Sequence, residues 1–223
     1  MTIAIVGGTG PQGSGIGLRL ALAGETVILG SRDGERAASE AAKLTSEHAP
    51  LGVITGANNR DAVASADTVI LAVPYKGHEE LVGGLADVIG HKLVVSCVNP
   101  LSFDKQGPVG TQIPDLSAAE EAARLLPEAN VTGAFHHLSA VNLHKVETDL
   151  SHEDVLVCGN DESGKAEVMR LASLVTGGRG IDVGALRLAR HLEPFTAVLI
   201  SVNKKYRTNS SVALTGVPET GEK

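Results

Sequence analysis

This 223-residue chain contains no tryptophan, only three phenylalanines and only two tyrosines. Proteins that hold single-stranded nucleic acid stack the bases on aromatic rings, so a chain with so few rings is a poor candidate for that role. The formal net charge of -7 points the same way, because a polyanionic partner requires a basic surface. We therefore predict no nucleic-acid partner.

Cysteine is also scarce, since Cys97 and Cys158 are the only two and each lies in an apolar run. This usage favours buried, unpaired thiols in a reducing compartment over a disulfide framework. The chain opens directly on an apolar run, Thr2-Ile3-Ala4-Ile5-Val6, with no basic region before it. No apolar run approaches the ~20 residues of a membrane helix. We expect a cytoplasmic protein without membrane contact.

Short runs rich in Val and Ile alternate with Ala-rich segments of helical periodicity in the first 140 residues. The runs are apolar throughout, which is typical of strands covered on both faces in a parallel sheet. This alternation predicts an α/β fold, a doubly wound parallel sheet of the Rossmann type. The predicted strands are 3–6, 26–29, 53–55, 68–73, 93–96 and 131–135, and the predicted helices are 16–23, 34–47, 59–66, 78–88 and 117–126.

The regular alternation of strand-like and helix-like segments ends near residue 140. We therefore divide the chain into a dinucleotide-binding domain, 1–140, and a small C-terminal α/β domain, 141–223. We expect Pro194 to kink or restart the helix of a long apolar segment in the second part. The last residues, 218–223, are expected to be mobile. The predicted elements of this part are a strand at 154–158, a helix at 163–175, a strand at 181–183 and the apolar segment 186–202.

The strongest motif is the glycine-rich loop Gly7-Gly8-Thr9-Gly10-Pro11-Gln12-Gly13, which follows the first predicted strand and precedes a helix. Gly8, Gly10 and Gly13 have the spacing of the dinucleotide fingerprint in its required context. Such glycines allow a tight turn and a close approach of the backbone to a pyrophosphate, which lies on free N–H groups at the helix N-terminus. The loop predicts dinucleotide binding.

Arg32 and Ser31 follow the second predicted strand, where an NAD enzyme carries an acidic residue for the ribose hydroxyls. A hydroxyl and a guanidinium suit a 2′-phosphate, and Arg36 lies one helical turn further on. The alternative is that Asp33 holds the ribose and Arg32 is solvated, but Asp33 also fits the N-cap of the next helix. The motif favours NADP over NAD.

With Ala72-Val73-Pro74-Tyr75 and Val157-Cys158-Gly159-Asn160-Asp161, these motifs resemble the F-420-dependent NADP reductases over nearly the whole chain. The resemblance implies reversible hydride transfer between NADPH and the deazaflavin coenzyme F-420. It also implies a homodimer in which the small C-terminal domain contributes to the deazaflavin site and to the dimer interface. The only other partners that it implies are the small-molecule cofactors.

The resemblance also implies the residues of the site. Val73, Tyr75 and Asn99 stand at the carboxyl ends of predicted strands, where an open α/β sheet binds ligands. No residue is a certain catalytic group, and His136 is the one candidate, facing the deazaflavin. The NADP(H) contacts would be Thr9, Gly10, Pro11, Gln12, Ser31, Arg32, Arg36, Val73, Tyr75, Asn99, Leu138 and Ala140, and the deazaflavin contacts His136, Leu138 and Val212.

His136 and His137 are adjacent, so in an extended chain they would point to opposite faces and at most one would face the site. The competing interpretation is one structural histidine and one exposed histidine. A zinc site that also uses His144 and Cys158 lacks a recognisable ligand spacing, and we predict no metal. The segment 99–116 is either a lip over the cofactors or a plain surface connection.

Two other functions stay open on the residues alone. The first is a different NADP-dependent reductase, acting on an imine or a ketone, although such enzymes usually carry a larger second domain. The second is a non-catalytic NADPH-sensing protein, which a glycine-rich loop also serves. The sequence contains no nucleophile elbow and no Tyr-x-x-x-Lys pair, which agrees with a reaction whose chemistry is carried by two cofactors.

Overall fold

The computed structural model describes residues 1–48 and 52–218, and residues 219–223 of the segment expected to be mobile lie outside this range. Its strands are β1 (Thr2–Val6), β2 (Thr26–Ser31), β3 (Ile54–Asn58), β4 (Thr68–Leu71), β5 (Leu93–Ser96), β6 (Leu101–Asp104), β7 (Gly107–Gly110), β8 (Asn130–Gly133), β9 (Val155–Gly159) and β10 (Gly180–Gly184). Its α-helices are α1 (Pro11–Leu22), α2 (Gly34–Glu47), α3 (Asn59–Ala64), α4 (His78–Gly83), α5 (Ala86–Ile89), α6 (Ala118–Leu125), α7 (Ala140–His144), α8 (Glu162–Thr176) and α9 (Ala189–Tyr206).

Eight of the strands form one sheet in the order β10-β9-β8-β5-β4-β1-β2-β3. Neighbouring strands are parallel except for β8 and β9, which are antiparallel. The strand order reverses direction along the chain at β1 and β4, and an open α/β sheet binds its ligands beside such a point. The predicted Rossmann-type α/β fold is confirmed, and the two late strands β9 and β10 extend the same sheet.

The sheet is covered on both faces, as the unbroken apolar runs predict. In β1, Ile3 and Ile5 join a core cluster with α1, α2 and α8, whereas Ala4 and Val6 join a second cluster with α3 to α6. Successive side chains of a strand point to opposite faces, so one short strand contributes to both cores. Cys97 and Cys158 are buried and unpaired, as predicted, and burial raises the pKa of each thiol to about 12.

Three parts of the chain differ from the sequence-based expectations. The predicted helix 78–88 is broken into α4 and α5 around Gly84, because adjacent glycines weaken a helix. The segment 99–116 contains an antiparallel hairpin, β6 and β7, which the sequence pattern did not indicate. Helix α9 continues through Pro194, so of the two expected outcomes, a kink or a restart, the helix does not restart at this proline. Proline removes one backbone donor, and packing of the rest of the helix outweighs that loss.

Within residues 1–48 and 52–218, no helix combines the length and the apolar character needed to cross a membrane.

Candidate functional site

The loop after β1 is shaped by its glycines. Gly7 has a φ of 79°, which few other residues tolerate. The Gly8 amide donates to the carbonyls of Ile5, at 3.0 Å, and Gly30, at 2.8 Å, and so ties the loop to β2. A Cβ atom on Gly8 would lie only 2.9 Å from both the Ile5 oxygen and the Leu29 Cα, so the loop requires glycine at this position.

Helix α1 begins without a side-chain cap, although it is twelve residues long. By contrast, α2, α6 and α8 begin at Asp33, Ser117 and Asp161, and each of these side chains accepts a backbone N–H of its helix. The first amides of α1 are therefore available to a ligand. Free N–H groups and the helix dipole together favour an anion such as a pyrophosphate.

A cavity of about 770 Å³, here called the phosphate-loop cavity, lies beside this helix end. Three exposed cations border it, Arg32, Arg36 and Lys76, which gives an acidic protein a locally basic site. Its lining residues are Gly7, Thr9, Gly10, Ser31, Arg32, Asp33, Arg36, Asn59, Ala72, Val73, Pro74, Lys76, Gly77, Glu80, Leu81, Gly84 and Leu85.

Asp33 is the residue that could have made the site selective for NAD. Its Oδ1 accepts the amides of Glu35, at 3.0 Å, and Arg36, at 3.2 Å, so it serves as the N-cap of α2. The predicted capping role is confirmed. The guanidinium groups of Arg32 and Arg36 form no ion pair with any carboxylate in the described part of the chain, and both are exposed. This arrangement suits a phosphate better than a ribose diol.

A second cavity, of about 470 Å³ and here called the His136 cavity, adjoins the first. Gly10, Ala72, Val73 and Pro74 line both cavities, so the two spaces meet at the carboxyl ends of β1 and β4. The lining residues of the His136 cavity are Gly10, Pro11, Gln12, Ala72, Val73, Pro74, Cys97, Asn99, His136, His137, Leu138, Ser139, Ala140, Thr196, Leu199, Ile200, Asn203 and Ser210.

The side chain of Asn99 contacts both the backbone and the ring of His136. The Asn99 amide donates to the His136 carbonyl at 3.0 Å, and its oxygen lies 3.1 Å from His136 Nδ1. Since that oxygen can only accept, Nδ1 carries the ring proton. Nε2 is buried and has no hydrogen-bond partner in the described residues. Burial and then the neighbouring His137 lower the pKa of His136 to about 3, so the ring is neutral at physiological pH.

His137 is buried as well, at 6% exposure, and its Nε2 donates to the Leu192 carbonyl at 2.7 Å. The expectation of opposite faces applied to an extended chain, which this segment is not, and the alternative of one exposed ring is wrong. Phe135 has a φ of 62°, which ends the extended chain before the histidines. Both residues follow in a turn and border the same cavity.

Most of the predicted contacts border one of the two cavities, but Tyr75 and Val212 border neither. The Tyr75 hydroxyl donates to Glu121 at 2.7 Å, on the interior side of its loop. Val212 pairs through its carbonyl with the Asp154 amide at 2.8 Å. The roles assigned to both residues stay predictions without support from this geometry.

The sequence reasoning did not assign several lining residues, among them the polar side chains of Lys76, Thr196, Asn203 and Ser210. Lys76 follows the motif Ala72-Val73-Pro74-Tyr75 directly, and its charge beside a predicted phosphate site was a usable signal. Thr196 and Asn203 lie on α9, more than 50 residues from His136, and reach the cavity only through tertiary packing. Within the described part of the chain, no group of three or more His, Cys, Asp or Glu residues could hold a metal.

The sheet, the uncapped helix and the two adjoining cavities define a Rossmann-like dinucleotide-binding protein. Residues 2–100 match the family described as NADP oxidoreductase, coenzyme F-420-dependent. The F-420-dependent NADP reductase of Methanothermobacter thermautotrophicus is 37% identical over 226 positions, which cover 98% of this chain and 97% of the relative. The chain belongs to the family of F-420-dependent NADP reductases, as its motifs predicted.

Solved structures agree with this assignment. A crystal structure described as a candidate F-420-dependent NADP reductase from an Arthrobacter species has a TM-score of 0.81 at 27% identity, and the alignment covers 96% of this chain and 99% of that one. A pyrroline-5-carboxylate reductase from Coxiella burnetii shares the fold, with a TM-score of 0.60 at 15% identity. The alignment spans 92% of this chain but 67% of that longer one.

Proposed function

We propose that this protein catalyses reversible hydride transfer between NADPH and the deazaflavin coenzyme F-420. The observation that carries the proposal is the junction of the two cavities at Gly10, Ala72, Val73 and Pro74. In this arrangement NADP(H) occupies the phosphate-loop cavity and its nicotinamide reaches the junction. The deazaflavin occupies the His136 cavity. Membership of the family and the match over nearly the whole chain support the assignment.

The bound cofactors supply the hydride donor and acceptor, and the protein has to orient them. The α1 N-terminus and Thr9 would hold the pyrophosphate, while Ser31, Arg32 and Arg36 would hold the 2′-phosphate. Val73, Pro74 and Leu138 give the junction aliphatic walls. Holding two reactants in register accounts for much of the rate of such a reaction, and misplacement by about 1 Å costs about 100-fold.

His136 contributes shape and not a proton in this proposal. Its Nδ1–H is committed to Asn99 and its Nε2 is buried, so neither nitrogen is free to donate to a bound ring. Gln12 links the phosphate loop to the same segment, because its side-chain amide donates to the Phe135 carbonyl at 3.2 Å. The phosphate loop and the segment that carries His136 are thus joined by a direct hydrogen bond.

We further propose that the chain acts as a cytoplasmic homodimer and that residues 141–223 form a C-terminal unit which completes the deazaflavin site. Ser210, Thr196 and Asn203 all come from this part and border the His136 cavity. Helix α9 also exposes Phe195 and Val198, at 40% and 51%, and such apolar residues suit a contact with a second copy.

The direct test mixes the purified protein with NADPH and oxidised F-420 and follows the loss of the long-wavelength deazaflavin absorbance. We expect loss of absorbance with NADPH and a much slower loss with NADH. A parallel reaction with a cyclic imine should consume no NADPH. If the imine is reduced and F-420 is not, the protein is an imine reductase. Tight NADPH binding without reduction of either substrate would make it an NADPH sensor.

A further inference from the structure

A buried hydrogen-bonded cluster lies behind the wall of the phosphate-loop cavity. Both carboxylate oxygens of Glu121 are engaged, Oε2 by the Tyr75 hydroxyl at 2.7 Å and Oε1 by His78 Nδ1 at 2.6 Å. The Tyr75 and His78 rings stack with centroids 5.9 Å apart. Glu121 and His78 are 3% and 1% exposed and so are shielded from water, whereas Tyr75 is half-buried.

The three residues come from two elements, since Tyr75 and His78 flank the start of α4 whereas Glu121 lies in α6. A carboxylate accepts hydrogen bonds, so the proton between Glu121 and His78 resides on Nδ1. His78 Nε2 is buried without a hydrogen-bond partner in the described residues, which makes Glu121 the polar anchor of the ring. Removing the carboxylate would leave the buried His78 Nδ1–H and the partly buried Tyr75 hydroxyl without this acceptor.

Residues on either side of Tyr75 form the cavity wall. Val73 and Pro74 border both cavities, and Lys76 and Gly77 border the phosphate-loop cavity. The segment is a tight turn, because the His78 amide donates to the Tyr75 carbonyl at 2.9 Å and Gly77 has a φ of 82°. Tyr75 and His78 therefore point inward and anchor a segment whose other residues face the ligand space.

We propose that Glu121 is a positioning residue for NADP(H), which acts through Tyr75 and His78 to hold the segment 73–77 against the bound dinucleotide. The proposal rests on the proposed NADP(H) site but not on the identity of the hydride acceptor. It gives Tyr75 a role in NADP(H) binding without direct contact. If the segment 73–77 were not held in this way, it would have to become ordered when NADP(H) binds, and the entropy cost of that ordering would weaken the affinity.

The test measures the Kd of NADP+ by calorimetry, without F-420, for Tyr75→Phe, Glu121→Leu and Glu121→Gln. Tyr75→Phe keeps the ring and loses the hydrogen bond, and Glu121→Leu loses both bonds. Glu121→Gln can keep both, since glutamine accepts from His78 and donates to the Tyr75 oxygen. We expect the Kd to rise about 5- to 30-fold for the first two and less than about 3-fold for Glu121→Gln.

Thr68→Val is the matched control, because Thr68 is buried at the opposite end of β4 and its hydroxyl donates to the Met1 sulfur at 3.6 Å, away from both cavities. The Kd of each variant is measured at a temperature well below the midpoint of its thermal unfolding, so that loss of folded protein does not mimic weak binding. An unchanged Kd for folded Tyr75→Phe and Glu121→Leu would overturn the proposal, as would equal weakening by Glu121→Gln. Wild-type protein that binds NADP+ but leaves F-420 oxidised contradicts the proposed function and not this inference.

Discussion

The imidazole of His136 makes a pH-dependent contribution to stability whose sign follows from its burial. Burial lowers its pKa to about 3 in the folded chain, against about 6.5 for an unperturbed histidine. Between these two values the unfolded chain binds more protons than the folded chain, so the free energy of unfolding rises with pH across this window. We predict that His136→Gln removes part of this slope. Urea unfolding of both proteins at pH 4.5 and pH 7 measures the difference, which should amount to roughly 1–3 kcal/mol.

The same ring has a second consequence, for the reaction. Because His136 is neutral throughout, the pH profile of kcat/KM should contain no ionisation of this residue between about pH 5 and pH 9. The His136→Gln variant should keep the shape of the profile even if its level changes. An ionisation in this range that is present in the wild type and absent from the variant would show that His136 does exchange a proton during the reaction.

We expect Arg32 to decide between the two nicotinamide cofactors. It is exposed and borders the phosphate-loop cavity, whereas the neighbouring acid Asp33 is committed to capping α2. We predict that Arg32→Glu raises the KM for NADPH by about 10- to 100-fold, since one charge-assisted hydrogen bond is lost and a like charge is introduced. The KM for NADH should change by less than about 3-fold. Arg187→Glu makes the same charge change at an exposed site outside both cavities and serves as the control.

At the scale of elements, the glycines of the loop before α1 serve two purposes: some are needed for folding, and others leave room for the ligand. A Cβ on Gly8 would meet backbone atoms at 2.9 Å, but a Cβ on Gly10 would meet only the Gly7 oxygen, at 3.4 Å. We predict that Gly8→Ala lowers the free energy of unfolding by about 1–3 kcal/mol. Gly10→Ala should fold with nearly normal stability and bind NADP+ at least about 10-fold more weakly, because the methyl group enters the phosphate site.

Chemical denaturation and NADP+ titration of the two variants, side by side, check this separation. Gly24→Ala is unsuitable as a neutral control because Gly24 has a φ of 92°, whereas Gly83→Ala, whose Cβ would meet only a side-chain atom at 3.9 Å, is suitable. A Gly10→Ala variant that is unstable but binds NADP+ normally would show that the loop glycines serve folding alone.

Elements with a strong local signal could be predicted from the sequence. Strand β5 and helix α2 have the predicted bounds, because an unbroken aliphatic run and an Asp33 cap are visible in the residues themselves. The β6–β7 hairpin was missed because Pro108 and the surrounding glycines are typical of a loop, and what stabilises it is packing of β7 against α9. The burial of both His136 and His137 depends on the positive φ of Phe135, which no local pattern indicates.

The candidate site divides in the same way. The phosphate loop, Ser31, Arg32 and Arg36 are contiguous with strand ends, so their motif places them together. The interior direction of Tyr75 is set by Glu121, 46 positions away, and could not be seen in the residues around Tyr75. Likewise, Thr196 reaches the His136 carbonyl at 3.0 Å only because α9 packs across the site.

In the whole molecule, the chain after α9 borders the His136 cavity at Ser210 and then returns to the late strands. Asp154, at 4% exposure, accepts a bidentate contact from Arg179, with both nitrogen–oxygen distances at 2.9 Å. The same carboxylate accepts the Leu214 amide, and Arg179 also donates to the Leu214 carbonyl at 3.0 Å. Before these contacts in the chain, the Asn203 side chain accepts from both the amide and the hydroxyl of Ser210. Residues 208–218, here called the tail, are therefore fixed at Ser210 and at Leu214, and Ser210 borders the His136 cavity.

From these contacts we predict that the tail contributes to the F-420 site at the His136 cavity and not to the NADP(H) site at the phosphate-loop cavity. A chain ending at Arg207 loses Ser210 from the His136 cavity but keeps every residue of the phosphate-loop cavity. We expect its KM for F-420 to rise about 10-fold, as for the loss of one or two polar contacts, while its Kd for NADP+ stays within about 2-fold. A chain ending at Pro218 keeps all of these contacts and is the control. Equal loss of affinity for both cofactors in the shorter chain would mean that the tail stabilises the sheet as a whole, since β9 and β10 would then transmit its removal to the phosphate loop.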